Sequence, residues 1–511
     1  MTALVTESLA LLAGSPDGVA KLRALVRDLA VIGRLLPHEI GRAPWSWSTL
    51  GNEITNMDSG WSPACLNTPA PTDDIWGVLR TTSVQPLRYV QEENKQLPSK
   101  LAPRPEAEVK VGDVLFTRAG PMNRVGISCL VDSTRPKLML SDKIIRFRPV
   151  PGRLDRRFTA LCLNAGATAR YLESAKSGMA ASQVNISQVK LKAAPIPIPP
   201  LEEQHRIVAK VDELMALCDR LEAQQIGADA AHAQLVKALL ASLTQARDPA
   251  DFRASWQQLS EHFHTLFTTE ASIDALKQTV LQLGVMGKLV EQVKVNESAH
   301  DYLHKLGIKS EPHHLLGWAT VPLGGLGIVL GGATPSKANA AYWIGDIPWV
   351  SPKDMKRLLI ADAEDHVSVA AVEGSALKFI PANSILMVVR GMILAHSFPV
   401  ALTARIVTIN QDMKALVPPP EIAPYLLLYL QASKGDMVAL VDRSSHGTCK
   451  LISEKLWASK VKVPPLAEQA RIVAKVTELL ALCDQLKLGL ADARQHHAHL
   501  AAVLVEQAVA A

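Results

Sequence analysis

A chain of 511 residues is too long for one hydrophobic core, because domains usually hold about 100–200 residues, so three or four structural units are expected. The composition, with 48% apolar residues, 20% charged residues and a net charge of +5, excludes a disordered chain. The sequence also lacks a run of about 18 uncharged apolar residues, a signal-like basic N-terminus and any Cys-x-x-Cys pair, which predicts a cytoplasmic protein without membrane span, disulfide framework or zinc site.

The first segment, residues 1–45, carries a helical pattern that returns later in the chain. Residues 21–35 align with residues 275–289, and the apolar positions of both stretches have helical spacing. The repeated positions are Val19, Leu22, Val26, Leu29 and Gly33 in the first copy, and Ile273, Leu276, Val280, Leu283 and Gly287 in the second. The pattern predicts one short helix in each copy.

A second and much stronger repeat follows each variable segment. Residues 199–222 and 464–487 are identical at 18 of 24 positions. Both stretches begin with paired prolines and acidic residues, as helix starts do, and continue with apolar residues spaced as in a coiled-coil seam. A helix of about 45 residues would be roughly 65 Å long. The predicted seam consists of Ile207, Val211, Leu214, Cys218 and Leu221, later Ala228, Leu235 and Leu239, and of Ile472, Val476, Leu479, Cys483 and Leu486, then Leu490, Ala493, Leu500 and Leu504.

The order of these repeats along the chain is that of a circularly permuted duplication. We expect the N-terminal helix to join the C-terminal long helix, so that the four helical segments form two hairpins related by a pseudo-twofold axis. His232 and His497 occupy equivalent seam positions. They are either a pH-sensitive or metal-binding pair or, the interpretation we favour, histidines satisfied within the helices.

The two variable segments, residues 46–198 and 318–463, are predicted to be mixed α/β domains of about 150 residues each. They begin alike: Trp45 and Trp318 are each followed at the same spacing by Leu-Gly, and then by a Gly-x-[ST]-Pro loop that starts at Gly60 and Gly332. The segments therefore resemble diverged copies of one domain.

Charge distinguishes the variable segments from the helices. Residues 46–198 hold 20 Lys and Arg against 13 Asp and Glu, and residues 318–463 hold 14 against 11, so both segments are more basic than the rest of the chain. Basic domains on acidic helices suit a protein whose domains face phosphates. Candidate DNA-binding residues, chosen as polar or basic residues in loops, are Arg80, Thr81, Arg118, Asn123, Arg124, Thr334, Ser336, Lys337, Ser351, Lys353, Arg443 and His446.

Catalytic motifs are missing from the sequence. It has no Asn/Asp-Pro-Pro-Tyr/Phe methylation motif and no phosphate-binding P-loop, and Glu108-Val-Lys110 matches only half of a nuclease signature. The chain is therefore predicted to perform no chemistry and to hold no metal or cofactor itself.

The twice-present Pro-Pro-Leu-x-Glu-Gln-x-Arg-Ile-Val helix start resembles the specificity (S) subunits of type I restriction-modification systems. Three further stretches agree with that family: 276–290, 332–355 and 410–416. The resemblance covers nearly the whole chain and is weakest in the first variable segment.

The resemblance implies that residues 46–198 and 318–463 are target recognition domains, each reading one half of a bipartite DNA sequence. It further implies that the helical regions, residues 199–317 and residues 464–511 completed by residues 1–45, space the domains and dock two methyltransferase subunits. Those partners would bind S-adenosylmethionine, and a motor and nuclease subunit using ATP and Mg²⁺ would join through them. The predicted subunit interface is the helix start itself: Pro200, Leu201, Glu203, Gln204, Arg206, Pro465, Leu466, Glu468, Gln469 and Arg471.

Two alternatives stay open on the sequence alone. The chain could be a freestanding DNA-binding or scaffold protein that uses the repeated helices for self-association, or it could serve a methylation-only complex without a nuclease.

Overall fold

The computed structural model of the chain describes residues 14–37, 44–293, 297–443 and 449–510. The chain divides into two compact units, one made of residues 1–228 and 493–511 and the other of residues 229–492. Each unit therefore contains one variable segment and parts of both long helices. Within the described ranges, no helix is both long and apolar enough to cross a membrane.

The fold is mixed α/β, with two helices of 45 residues each. In chain order the helices are α1 (Gly18–Val31), α2 (Arg156–Leu163), α3 (Gly166–Ala175), α4 (Gln188–Lys192), α5 (Leu201–Gln245), α6 (Pro249–Glu261), α7 (Phe263–Leu266), α8 (Glu270–Val285), α9 (Ala299–Lys305), α10 (Val369–Glu373), α11 (Ala423–Ala432), α12 (Lys434–Ala439), α13 (Ser453–Ala458) and α14 (Leu466–Ala510).

The first unit contains fourteen described strands in short sheets. They are β1 (Ser46–Thr49), β2 (Ile54–Ser59), β3 (Gly77–Leu79), β4 (Val84–Gln85), β5 (Arg88–Tyr89), β6 (Asn94–Gln96), β7 (Val114–Thr117), β8 (Ala119–Gly120), β9 (Ser128–Leu130), β10 (Leu138–Met139), β11 (Ile144–Pro149), β12 (Ser177–Ala180), β13 (Gln183–Asn185) and β14 (Pro195–Ile198).

The second unit contains thirteen described strands. They are β15 (Glu311–Pro312), β16 (Ala319–Pro322), β17 (Ile328–Gly331), β18 (Ile347–Val350), β19 (Leu359–Ile360), β20 (Asp365–Val367), β21 (Ile385–Val388), β22 (Val400–Thr403), β23 (Thr408–Ile409), β24 (Met413–Val417), β25 (Val441–Arg443), β26 (Cys449–Leu451) and β27 (Lys460–Val463).

The two variable segments share one sheet topology. The antiparallel order β2-β11-β7-β9 of the first unit matches β17-β24-β21-β22 of the second, where β19 adds a fifth strand. The order β10-β3-β6 matches β23-β18-β20, with the first pair parallel and the second antiparallel in both. The resemblance seen in the sequence openings therefore extends to the whole domain.

The first and last strands of each variable segment pair with one another. Ser46 lies opposite Ile198 in the β1–β14 pair, and Ala319 lies opposite Val463 in the β16–β27 pair. Because both ends leave each domain side by side, each domain is connected to the helices at a single two-stranded junction.

The apolar face of the first part of each long helix packs into the core of one unit, as helices with periodic apolar residues do. Ile207, Val211, Leu214 and Cys218 are buried in the first unit, and Ile472, Val476 and Cys483 in the second. Leu221 and Leu479 pack against these clusters and are partly buried.

Five positions of the predicted seam are exposed rather than buried. They are Ala228, Ala493 and the three leucines Leu235, Leu486 and Leu500, which are 52%, 40% and 53% exposed. On α5 the predicted seam position Leu239 is buried, together with Val236, Leu240 and Leu243, which lie outside the predicted seam. A straight α-helix has 3.6 residues per turn. Residues spaced by a strict seven-residue repeat therefore rotate around the helix by about 20° per heptad and leave the buried face after a few turns.

Each short helix packs with its own copy of the long helix. In the first unit, Arg23 of α1 pairs with Asp219 and Glu222 of α5. In the second unit, Lys277 of α8 pairs with Asp484 of α14. The end of α14 also joins the apolar cluster of α1, through Ala501 and Ala508. The N-terminal helix thus shares an apolar cluster with the end of the C-terminal long helix and is also attached to α5 by matched charges.

Candidate nucleic-acid interface

The Gly-x-[ST]-Pro loops lie against the loop that precedes an inner strand of each main sheet, β11 in the first unit and β24 in the second. In the first unit, the amide of Gly60 donates to the carbonyl of Ser141 at 3.2 Å, and that of Trp61 donates to Leu140 at 3.0 Å. In the second unit, the amide of Ala333 donates to Ile409 at 3.0 Å. A Cβ atom added at Gly60 would lie 1.8 Å from the Leu140 carbonyl oxygen, and one at Gly332 would lie 2.0 Å from that of Asn410. Glycine permits this close approach.

A hydroxyl and an acceptor side chain meet across these two loops in both domains. The Ser62 hydroxyl donates to the carboxylate of Asp142, and the Asp142 amide donates back to the Ser62 hydroxyl at 3.2 Å. In the second domain, the Thr334 hydroxyl donates to the side-chain oxygen of Gln411. All four side chains are exposed. The two domains therefore have a hydrogen-bonded pair of side chains at equivalent positions. The acceptor is a carboxylate in the first domain and an amide in the second.

A second loop with basic residues runs beside this pair. The amide of Arg118 donates to the carbonyl of Lys143 at 2.9 Å, and that of Arg390 donates to the carbonyl of Asp412 at 3.2 Å. Each loop continues through a glycine of positive φ, which is 145° at Gly120 and 130° at Gly391. Short 3₁₀ turns follow, Met122–Arg124 in the first domain and Met392–Ala395 in the second.

A β-hairpin closes the arrangement in both domains. The amide of Ile186 donates to the carbonyl of Arg118 at 2.8 Å, and that of Leu451 donates to Val389 at 2.9 Å. The hairpins themselves are β12–β13 and β25–β26. Three loops and a hairpin thus meet at the same end of the main sheet in each unit.

The residues predicted for DNA binding in the first domain gather near this end, but several of them hold the domain together. The Arg124 guanidinium donates to the carbonyls of Thr81 and Val84, both at 2.8 Å. Arg80 donates to the carbonyl of Asn67 at 2.6 Å. Asn123 is exposed on the 3₁₀ turn, and Arg118 is partly exposed.

In the second domain, the predicted residues divide between the loop cluster and its surroundings. Thr334 belongs to the cluster, whereas the Ser336 carbonyl accepts from the Trp343 indole at 3.3 Å. Lys337 is exposed. Ser351 is buried and its hydroxyl contacts Asp354 at 2.8 Å.

Lys353 and Arg443 are both engaged within the chain. The Lys353 ammonium lies 2.9 Å from Asp365 and 3.2 Å from Glu364, and its hydrogen bond to Asp365 raises the pKa of Lys353. Arg443 donates to the carbonyl of Ala395 at 3.2 Å. His446 lies outside the described residues.

The helix-start residues predicted for subunit docking differ most from expectation. Glu203, Gln204, Glu468 and Gln469 are buried within the chain. Gln204 and Gln469 each donate at 2.8 Å to the carbonyl of the proline five residues earlier. These four side chains therefore fasten the helix starts to their own domains, and they are not available to a partner.

The rest of each helix start is more accessible. Pro200 and Arg206 are exposed, while Leu201, Leu466 and Arg471 are partly exposed and Pro465 is buried. Arg471 donates to the carbonyl of Glu291 at 3.0 Å.

A tryptophan and a glutamate meet at each of these helix starts. The Trp45 indole donates to Glu203 at 3.0 Å. In the second unit, burial raises the pKa of the Glu468 carboxyl, while the Trp318 indole and the Arg471 guanidinium oppose that shift. The tryptophans that open the variable segments therefore help attach each domain to its long helix.

The sequence reasoning missed Asp142, Arg390 and Gln411. The sequence carries a signal for them, because the stretch 410–416 and the Gly-x-[ST]-Pro loops are both distinctive. Their contact could not be predicted from the sequence, since about 80 residues separate the partners.

Glu108 of the half nuclease signature has a structural role, because its carboxylate accepts a hydrogen bond from the Lys137 amide at 2.7 Å. His232 contacts the Thr265 carbonyl at 3.3 Å, and no metal-binding group exists among the described residues.

Comparison with known proteins gives consistent matches. A family model described as the type I restriction modification DNA specificity domain matches residues 92–228 and 316–492. Over 195 residues, 38% of this chain and 33% of the relative, the sequence is 51% identical to the EcoEI specificity subunit of Escherichia coli. Over 401 residues, 71% of this chain and 66% of the relative, it is 30% identical to the EcoAI specificity subunit of the same species. The alignments thus span one third and just under two thirds of these relatives.

The fold has a solved counterpart. A chain from a structural study of complex assembly and conformational transition of the type I R-M system superposes with a TM-score of 0.50 at 18% identity, covering 93% of this chain and 99% of that one. At this identity the likeness concerns the fold. Because the family model matches more than half of the chain, this protein belongs to the family of type I restriction-modification DNA specificity proteins.

Proposed function

We propose that this chain is the DNA specificity subunit of a type I restriction-modification complex and that each variable domain binds one half of a bipartite DNA sequence. The observation that carries the proposal is the repeated loop cluster: Ser62 with Asp142, and Thr334 with Gln411, lie at equivalent places of two domains with one topology. Two related but chemically different clusters suit two half-sites of different sequence.

The charge of the domains supports this assignment. Both variable segments are net basic, and Lys143, Arg390 and Lys450 are exposed around the two loop clusters. Basic side chains next to polar loops supply phosphate contacts that position a domain, while the polar loops reach base edges.

We further propose that the long helices dock two copies of one partner, an adenine-N6 methyltransferase, through which a motor and nuclease subunit joins. Leu217 of α5 and Leu482 of α14 are equivalent in the repeat and are both exposed, at 36% and 48%. The same apolar side chain on the same helix of two copies suits two identical partners. In this scheme S-adenosylmethionine, ATP and Mg²⁺ belong to the partners, and the present chain supplies the DNA address without catalysis.

The test is selection of random-sequence duplexes by the full-length chain, alone and co-purified with the methyltransferase subunit of a type I system. The proposal expects one enriched motif with two fixed halves separated by unread base pairs. Enrichment of a single continuous motif, or of none, would overturn it. Leu217→Asp and Leu482→Asp should each remove one methyltransferase copy from the complex, and loss of neither would refute the docking surface.

A further inference from the structure

Asp142 and Gln411 occupy one position of the shared fold but carry different chemistry. Each lies two residues before the start of an inner strand of its main sheet, Asp142 before β11 and Gln411 before β24. Each accepts a hydrogen bond from the hydroxyl of the neighbouring Gly-x-[ST]-Pro loop. Both domains have a hydroxyl at the donor position. The acceptor is a carboxylate in the first domain and an amide in the second.

Both side chains have hydrogen-bonding capacity that the chain does not use. In the part of the chain that the structure describes, the Asp142 carboxylate has no cationic partner, and the Gln411 side-chain nitrogen has no acceptor. Both residues are exposed. The hydroxyl contact restricts each side chain, so its free groups are held toward solvent in a preset direction.

An unpaired carboxylate is unexpected on a DNA-facing surface, because phosphates repel it. Such a residue is favourable only where it meets a hydrogen-bond donor, and the donors in the major groove are the amino groups of cytosine N4 and adenine N6. Adenine also presents the N7 acceptor beside its amino group, which repels a second carboxylate oxygen. A carboxylate therefore suits cytosine, whereas a glutamine amide can both accept from N6 and donate to N7 of adenine.

We propose, on the basis of the proposed function, that Asp142 reads a cytosine in one half-site and that Gln411 reads an adenine in the other. Ser62 and Thr334 are positioning residues that hold these readers. The partner is double-stranded DNA contacted from its major groove.

The experiment compares the motifs that the full-length chain selects from random duplexes when it is wild type, Asp142→Asn, Gln411→Asp or Ser62→Ala. Asp142→Asn should reduce the preference for cytosine at one position about ten- to hundredfold, leaving the other half-site unchanged. Gln411→Asp should replace one adenine of the second half-site by cytosine. Ser62→Ala should weaken the cytosine preference without changing the base preferred.

Three outcomes separate the claims. Unchanged motifs in the folded Asp142→Asn and Gln411→Asp variants would overturn the assignment of readers while leaving the proposed function intact. A change spread over both half-sites would also overturn it. A wild-type chain that selects no motif would remove the proposed function and this inference with it. Thermal unfolding of each variant shows whether the exposed substitutions leave the fold in place.

Discussion

Arg23 and Asp219 form an ion pair of 2.6 Å between α1 and α5, and the equivalent residues Lys277 and Asp484 form one of 2.7 Å between α8 and α14. One turn further along the long helices, the charge is inverted between the copies. Glu222 adds to the pair with Arg23 at 2.9 Å, whereas Lys487 pairs with Asp274 at 2.6 Å. Each short helix is therefore matched in charge to its own long helix and mismatched to the other.

We expect that exchanging these charges, by Glu222→Lys together with Lys487→Glu, will destabilise the chain. Lys at 222 would face Arg23, and Glu at 487 would face Asp274, so two attractive contacts become repulsive. Exposed ion pairs contribute about 0.2–1 kcal/mol each, so the loss should be about 1–2 kcal/mol. Urea unfolding at low salt measures it.

Compensating substitutions provide the control for that exchange. Ala20 is the exposed equivalent of Asp274 in α1. Adding Ala20→Asp and Asp274→Ala gives each inverted charge a partner again, so the fourfold variant should regain most of the lost stability. Equal stability of the double and fourfold variants would show that these charges do not select the helix pairing.

Glycine at the two loop contacts is predicted to be required. An alanine Cβ at residue 60 or 332 would overlap a backbone carbonyl oxygen, and backbone cannot yield as a flexible side chain can. Gly60→Ala and Gly332→Ala should each lower the free energy of unfolding by about 1–3 kcal/mol. Gly227→Ala, in α5 with no atom within 4 Å of the added Cβ, is the matched control and should stabilise the helix by about 0.5–1 kcal/mol. Wild-type stability of the first two variants would contradict the close approach.

Glu468 should make stability depend on pH. Burial raises the pKa of this carboxyl in the folded chain, so the folded state holds the proton more tightly than the unfolded state. That contribution is complete below the unfolded value of about 4.3 and is lost as pH rises through the folded value. Glu468→Gln should therefore become more stable relative to wild type as pH rises from about 4 to about 7, as measured by urea unfolding.

The exposed Glu478 on the same helix offers a comparison. It pairs with Lys475 at 3.0 Å on the surface, and Glu478→Gln makes the same chemical change at an exposed position of the helix. A Glu468→Gln profile parallel to wild type would show that the buried carboxyl does not titrate between these pH values.

Arg390 is expected to contact phosphate. Its side chain is exposed beside the second loop cluster, and its nearest carboxylate, on Asp412, is 3.9 Å away. Arg390→Ala should weaken binding to specific and random duplexes to a similar extent and reduce the salt dependence of binding by about one charge. Lys305→Ala on α9 removes an exposed lysine paired with Glu297 and should leave both quantities unchanged. A loss confined to the specific duplex would assign Arg390 to base reading instead.

Repetition in the sequence made the long helices predictable, since proline fixes their starts and apolar spacing marks their faces. The predicted limits of the variable segments, 46 with 198 and 318 with 463, lie at or next to strands that pair with one another.

Tertiary contacts account for what could not be predicted. Glu203 and Gln204 look like surface residues of a helix start, and only the fold shows that Trp45 and the Pro199 carbonyl bury them. Arg124 looks like a free loop arginine, yet it supports the turn at Thr81. Leu235 and Leu500 illustrate a further cause, because small errors in assumed helical period accumulate over 45 residues.

Exchange of the second variable domain tests the central claim most directly. Residues 318–463 would be replaced by the corresponding domain of another family member, with the joins at the β16–β27 pair, and the methylated sequence would be read from the genome of cells that carry the complete operon. The account predicts that one half of the bipartite sequence changes while the other half is retained. A change in both halves, or in neither, would contradict it.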